Sequence, residues 1–260
     1  MVELEIEHGV AWVRLNHPPL NILTTELRRQ LLTQISRIEN DSAVRLAIFQ
    51  GAGEKAFSVG SDLKEFPNDE VGGREKIQFE QFVLDQIERL RVITLSGLRG
   101  HVLGGGAELM LATDLRIAAD DAMFGFPEIK VGGFPAAGGV WRLTRDIGPV
   151  RARELLLFGK TISAPQAHAL NLINECVPKE RLEPRLKEIA DELLALPQSG
   201  LLAIKRAVAL TADGSTEGFS GAAQVTNEYG RLFRGADISE GIRAFLEKRT
   251  PHYNQIPKKE

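Results

Sequence analysis

The sequence predicts an α/β protein: a spiral of ββα turns over residues 1–195, followed by an all-helical region over 196–260. Three observations predict it. Short apolar runs that end in a glycine turn and an acidic helix start recur from Leu46, from Val92 and, more loosely, from Leu115. The copies are too divergent for a fixed period, but a repeated unit of this kind stacks its strands and leaves its helices outside. Past Leu196 the apolar residues recur at helical spacing alone, and no stretch reads as a strand.

Taken in order, Val10-Ala11-Trp12-Val13-Arg14-Leu15 alternates as a half-buried strand does, and Asn16-His17-Pro18-Pro19 breaks it. Thr25 is then expected to cap a helix with Leu27, Leu31, Leu32, Ile35 and Ile38 on one face. Leu46-Ala47-Ile48-Phe49 is a second strand, followed by the short apolar piece Phe57-Ser58-Val59, a turn at Gly60 and a helix start near Asp62-Leu63. The polar stretch Asn68 to Glu75 contains two glycines and no apolar period, so it is expected to be a mobile loop or lid. Val92 to Leu95 is extended, the chain crosses Gly104-Gly105-Gly106, and Ala107 to Ala112 has the content of a buried helix. The third copy runs from Leu115 through Phe124-Gly125-Phe126-Pro127-Glu128. A second glycine-rich segment, Val131 to Val140, leads into a helix near Trp141 to Arg145, and Ser163 with Pro165 opens another. Leu182, Leu186, Ile189, Leu193 and Leu194 lie at helical spacing. Further helices are expected over Leu201 to Leu210, Thr216 to Phe233 and Asp237 to Lys248, the last with a capping box of Asp237 and Glu240.

Composition excludes several classes. A net charge of -3 over 260 residues, with no aromatic-interleaved basic stripe, argues against a nucleic-acid partner. No apolar run approaches the roughly 18 residues that span a bilayer, so no membrane role is expected. The single cysteine, Cys176, permits no internal disulfide and fits a reducing compartment; the acidic Met1 to Glu7 resembles neither a secretory nor a transit signal, so a cytoplasmic protein is expected. The histidines at 8, 17, 101, 168 and 252 lack metal-ligand spacing, and no metal site is expected. Gly51-Ala52-Gly53-Glu54-Lys55-Ala56 imitates a dinucleotide fingerprint, but Phe57-Ser58-Val59-Gly60 reads as strand and turn where that motif needs a helix. Gly159-Lys160-Thr161 resembles the end of a phosphate loop, yet Glu154 stands where its first glycine belongs.

The chemistry concentrates around Gly104-Gly105-Gly106. Three glycines let a ligand approach the backbone, and their amides lie at the positive end of the following helix, where an oxygen gathering negative charge is stabilised. The same glycines would equally serve close packing of a helix on a sheet. In the spiral, Val59-Gly60-Ser61 and Gly104-Gly105-Gly106 fall at equivalent ends of neighbouring strands, so two amide donors could meet at one oxygen. Glu108 follows in the first helical turn, and His101 borders the loop either as a lining group or as its support.

Together these motifs resemble the enoyl-CoA hydratase/isomerase family, the crotonase superfamily. The resemblance is carried by Lys55-Ala56-Phe57-Ser58-Val59-Gly60-Ser61-Asp62-Leu63-Lys64-Glu65, by Leu103 to Leu109 and by Phe124 to Glu128. Pro135-Ala136-Ala137-Gly138-Gly139 and Phe245-Leu246-Glu247-Lys248-Arg249 add to it, so it spans nearly the whole chain in the family's order. The resemblance implies a crotonase-like spiral with a helical C-terminal trimerisation region, and often a dimer of trimers. It implies a coenzyme A thioester whose carbonyl is held by the backbone NH groups of Ser61 and Gly105. Coenzyme A is then part of the substrate, and no separate cofactor is implied. The matched substrate contacts are Lys55, Phe57, Ser61, Asp62 and Leu63, with Lys248 near the CoA phosphates, from the same or a neighbouring subunit. By the same match Glu108 orients and deprotonates water and Glu128 protonates the α-carbon. Isomerases of the family often keep only the second glutamate, so retention of both favours hydration. Ser61 stands where alanine is usual, Phe126 replaces a frequent glutamine, Ala136 a glycine, and Val140-Trp141 a Thr-Gln pair. With Phe134, these residues are expected to reshape the acyl pocket. Two alternatives stay open: another reaction on a CoA thioester, such as double-bond isomerisation or ring-acyl chemistry, and a non-catalytic acyl-CoA-binding or assembly subunit.

Overall fold

The structure, a computed structural model, describes residues 1–212 and 219–253. The chain opens with a hairpin of β1 (Val2–Glu7) and β2 (Val10–Leu15), antiparallel and joined by His8 and Gly9 at φ 49° and 84°. Positive φ at both turn residues matches the twist of the two strands. The acidic start of the chain is therefore a strand, in which Val2, Leu4 and Ile6 alternate with Glu3, Glu5 and Glu7. Helix α1 (Thr25–Asn40) buries Leu27, Leu31, Ile35 and Ile38 as expected, but its cap is one residue earlier. The Thr24 hydroxyl accepts from the Leu27 amide at 3.1 Å, whereas Thr25 donates to Glu65 at 2.7 Å.

The three sequence copies become three similar excursions. Strand β3 (Leu46–Gly51) is followed by β4 (Ala56–Ser58), and helix α2 (Glu70–Glu88) returns the chain. Then come β5 (Ile93–Leu98), β6 (His101–Leu103) and helix α3 (Gly105–Leu111). The third excursion is β7 (Leu115–Ala119), β8 (Met123–Gly125), a 3₁₀ turn over Pro127–Val131 and helix α4 (Gly139–Phe158), broken at Gly148 just before Pro149. Strand β9 (Thr161–Ser163), helix α5 (Ala164–Ala169) and β10 (Glu175–Val177) follow. The first strand of each excursion enters a six-stranded sheet of order β1-β2-β3-β5-β7-β10, and the second enters a four-stranded sheet of order β4-β6-β8-β9. That alternation makes the spiral.

The expected lid at Asn68 to Glu75 is instead the start of α2. Asp69 caps it by accepting from the Gly72 amide at 2.9 Å, and two glycines do not stop a helix whose later turns bury Val83, Leu84 and Ile87. Arg116 closes the far end of α3, donating to the carbonyls of Met110 and Leu111 at 3.0 and 3.1 Å. Phe49, Phe57, Phe124 and Ile48 are fully buried between the layers, each contributing roughly 1.5–3 kcal/mol of apolar burial.

The chain divides into two compact units, residues 1–90 with 94–187 and residues 91–93 with 188–260. Helix α6 (Leu182–Leu194) runs across that division. The second unit holds α7 (Gln198–Ala212), α8 (Phe219–Arg231) and α9 (Asp237–Leu246). The expected helix start at Thr216 lies outside the described residues. The expected capping box of α9 does not form: Asp237 accepts from Ser199 at 2.6 Å, and Glu240 accepts from Arg249 and from the His252 amide. No single helix among the described residues is long and apolar enough to cross a membrane.

Thr24→Ala should destabilise the protein by about 1 kcal/mol in urea unfolding, the usual worth of a side-chain cap. Thr25→Ala, which loses only an exposed contact to Glu65, should cost clearly less; equal losses would contradict the assignment.

Candidate active site

Strands β4 and β6 pair in parallel, with Ala56 opposite His101 and Ser58 opposite Val102. The chain therefore leaves both at the same end, into Gly60-Ser61 and Gly104-Gly105. Gly60 accepts from the Leu23 amide at 2.8 Å, and Gly104 donates to the Gly125 carbonyl at 3.0 Å, so both turns are fastened to neighbouring backbone. Gly60 has φ +91°, and a Cβ there would stand 2.7 Å from the Gly105 nitrogen. The two turns thus touch through bare backbone. No acceptor among the described residues takes the amide hydrogens of Ser61 or Gly105. The Gly105 amide also opens α3, where the helix concentrates partial positive charge.

Glu108 lies one turn along α3, only 3% exposed, and its Oε1 accepts from the Gly139 amide at 2.9 Å. Burial pushes its carboxyl up to about 8, a shift that the Gly139 hydrogen bond opposes and the Glu128 and Glu80 charges reinforce. Glu128 is carried by the 3₁₀ turn after β8 and is half-buried, and its Oε2 has no hydrogen-bond partner among the described residues. Its carboxyl is raised to about 7, again chiefly by burial and then by Glu80. Gly104, at φ +53° and ψ −128°, passes so near that a Cβ would stand 3.2 Å from Glu128 Oε1.

Both glutamates open into one cleft of about 520 Å³. Of the residues singled out in the sequence, Ser61, Asp62, Leu63, Gly105, Phe134 and Ala136 line it with them. Others lie elsewhere. Phe57 and Phe126 are buried in the core at 0% and 1% exposure, and neither lines the cleft. The Phe57 amide donates to Arg99, and the Lys55 carbonyl accepts from His101, so these backbone groups serve the sheet edge. His101 is exposed beside it. Trp141 is half-exposed, 5.3 Å from the Arg142 guanidinium, and is not a cleft wall. Lys248 follows the C-terminal cap of α9 in the second unit, at φ 53°.

Helix α2 supplies groups absent from the sequence reading. Gln81 donates to the Ala136 carbonyl at 2.8 Å, while Asp85 and Glu88 accept from the fully buried Arg142 at 2.7 and 2.6 Å. These three positions form one stripe, and it holds the segment that ends at the Gly139 amide. Beside it, Glu80 is 3% exposed and lines the cleft, paired with Lys76 at 2.9 Å and with Arg28 at 3.4 Å. Arg28 is 4% exposed and donates to Ser61 Oγ at 2.9 Å, and Ser61 Oγ donates to Glu80 at 3.2 Å. Burial lowers the Arg28 guanidinium from its ordinary value, chiefly against the pull of Glu80. A signal existed: Glu80 stands at helical spacing with Val83, Leu84 and Ile87, a carboxylate on an apolar stripe.

A spiral of ββα excursions, with two glycine turns facing a cleft that holds one buried and one half-buried carboxyl, is the crotonase fold. The comparisons agree: the enoyl-CoA hydratase/isomerase description matches residues 5–257. The chain is 34% identical over 253 residues to the crotonyl-CoA hydratase of Syntrophomonas wolfei, with 96% of each chain covered. It is 33% identical over 252 residues to the short-chain-enoyl-CoA hydratase of Clostridium acetobutylicum, with 95% of each covered. The crystal structure of an enoyl-CoA hydratase from Bacillus anthracis superposes with a TM-score of 0.90 at 33% identity, covering 97% of this chain and 98% of that one. The chain belongs to the enoyl-CoA hydratase/isomerase family and is an enzyme of that family.

Gly104→Ala should cost roughly 1–3 kcal/mol in chemical denaturation, because a side chain is strained at that φ/ψ and crowds Glu128. Gly73→Ala, where a Cβ meets nothing within 4 Å, is the control and should not destabilise.

Proposed function

We propose that this enzyme adds water across the double bond of a 2-enoyl-CoA thioester to give a 3-hydroxyacyl-CoA. The observation that carries the reading is the pair Glu108 and Glu128, both raised toward neutrality in one cleft beside two unclaimed amides. In this reading the thioester carbonyl accepts from the Ser61 and Gly105 amides, which stabilise the negative charge that addition pushes onto that oxygen. Glu108 takes a proton from water as the oxygen bonds to the β-carbon, and Glu128 delivers a proton to the α-carbon. The reaction then balances with no added cofactor, coenzyme A being part of the substrate. Leu63, Phe134 and Ala136 receive the acyl portion, and the apolar lining favours an uncharged chain. Names of the relatives support the reaction class, since hydration of crotonyl-CoA or of short enoyl chains is what they describe.

The same reading assigns Lys248 to the CoA phosphates and has the chain assemble as a trimer or a dimer of trimers. Exposed Ile242, Phe245 and Leu246 on α9 support self-association. A cytoplasmic setting is supported by the lone Cys176.

Between about 7 and about 8 the pair holds one proton, which rests mainly on Glu108; the form that adds water, with Glu108 ionised and Glu128 protonated, is the minor arrangement of the same singly protonated pair. Below that window both are protonated and the base is lost; above it both are ionised and the acid is lost. The profile of kcat/KM on crotonyl-CoA should therefore be a bell that rises through about 7 and falls through about 8. A rate that keeps climbing well above the upper value would sink the acid role.

Glu108→Gln and Glu128→Gln should each lower turnover by roughly 10²–10⁴, followed by loss of the conjugated-thioester absorbance. In H₂¹⁸O the product should carry one labelled oxygen. Conversion without label would replace hydration by a double-bond shift, and binding without conversion would point to a non-catalytic subunit.

A further inference from the structure

A buried guanidinium stands behind the two amides. Arg28 occupies the apolar stripe of α1 between Leu27 and Leu31, where a cation is costly unless it is held by partners. Its partners converge on the turn at Ser61. One guanidinium nitrogen donates to the Leu23 carbonyl, and Leu23 itself bridges to Ser61 in parallel. The other donates to Ser61 Oγ at 2.9 Å and lies 3.4 Å from Glu80. That second nitrogen also reaches the other turn, because a Cβ on Gly105 would stand 3.2 Å from it. Glu80 does not cancel the charge. It is shared with Lys76 at 2.9 Å, and although Glu65 and Glu108 also face the guanidinium, Arg28 is the nearer charge to the Ser61 hydroxyl, at 2.9 Å against 3.2 Å for Glu80.

We propose that Arg28 is a positioning residue for the carbonyl-binding pair, its charge held against Ser61 and Gly105 by the Ser61 hydroxyl so that it deepens the positive potential at the thioester oxygen. This rests on reading those two amides as the carbonyl donors. The Ser61 hydroxyl gains a task that alanine could not perform: it ties a charge to the turn whose amide faces the cleft. A charge fixed in place, behind low-dielectric walls, acts on developing negative charge without reorganising.

The test uses the full-length enzyme and butyryl-CoA labelled with ¹³C at the thioester carbonyl, which cannot be hydrated, read by infrared difference spectroscopy. Binding to wild type should move the carbonyl band to lower frequency. Arg28→Gln should reduce that displacement and lower kcat on crotonyl-CoA by roughly tenfold or more, with KM changed by less than about threefold. Arg28→Lys, which keeps the charge, should restore most of the displacement. Glu80→Gln should move the band further than in wild type, since it removes the opposing charge. A role in packing alone would loosen the site in both Gln variants and displace the band in the same direction, which would overturn the proposal. So would a displacement in Arg28→Gln equal to that of wild type. If Arg28→Gln does not fold, Glu80→Gln decides, and a smaller displacement there overturns it. Wild type that binds butyryl-CoA with no displacement would instead refute the amide pair itself.

Discussion

The constraint on which the rest depends is a carboxyl group placed where water cannot solvate it. Glu108 is 3% exposed and receives a hydrogen bond from one backbone amide, that of Gly139. A carboxylate with so little solvation rises toward neutrality, and the surrounding fold must hold both the group and its donor in place. Helix α3 fixes the first, because Glu108 is one turn from a start held between the ends of β4 and β8 in the four-stranded sheet. The second is fixed from outside, by the grip of α2 on the segment from Ala136 to Arg142. Loss of either would leave the carboxyl without its donor.

The spiral answers a geometric need. The Ser61 and Gly105 amides come from two separate chain reversals, one after β4 and one after β6. Parallel pairing of β4 and β6 brings two chain reversals to the same edge, and the absence of side chains at Gly60 and Gly104 lets them meet. The sheet ladder therefore sets the spacing of the two amides.

Much of this was legible in the sequence for the same reason that it is rigid. Strand, glycine and acidic helix start recur because each excursion repeats one geometry, and Glu108 and Glu128 stand at fixed distances from glycines that are themselves conspicuous. What was not legible depends on contacts distant in the chain. The strand β1 alternates plainly, but its acidic half reads as a charged terminus until β2 is beside it. Helix α2 was hidden by Gly72, Gly73 and a polar first turn, although Asp69 caps it. Arg28 and Glu80 have no place in the sequence reading, and only the meeting of α1 with α2 over Ser61 brings them together. Phe126 marks the opposite error. A bulky residue next to Pro127-Glu128 suggests a pocket wall, but strand alternation at the end of β8 turns it into the core.

Helix α2 carries a further consequence. One of its stripes secures the Gly139 donor to Glu108, and the adjacent stripe, through Glu80, secures Arg28 and Ser61. Its opening would therefore loosen the Glu108 side and the Ser61 side of the cleft together. One helix thus braces two parts of the cleft that are distant from each other in sequence, so local order there bears on both at once.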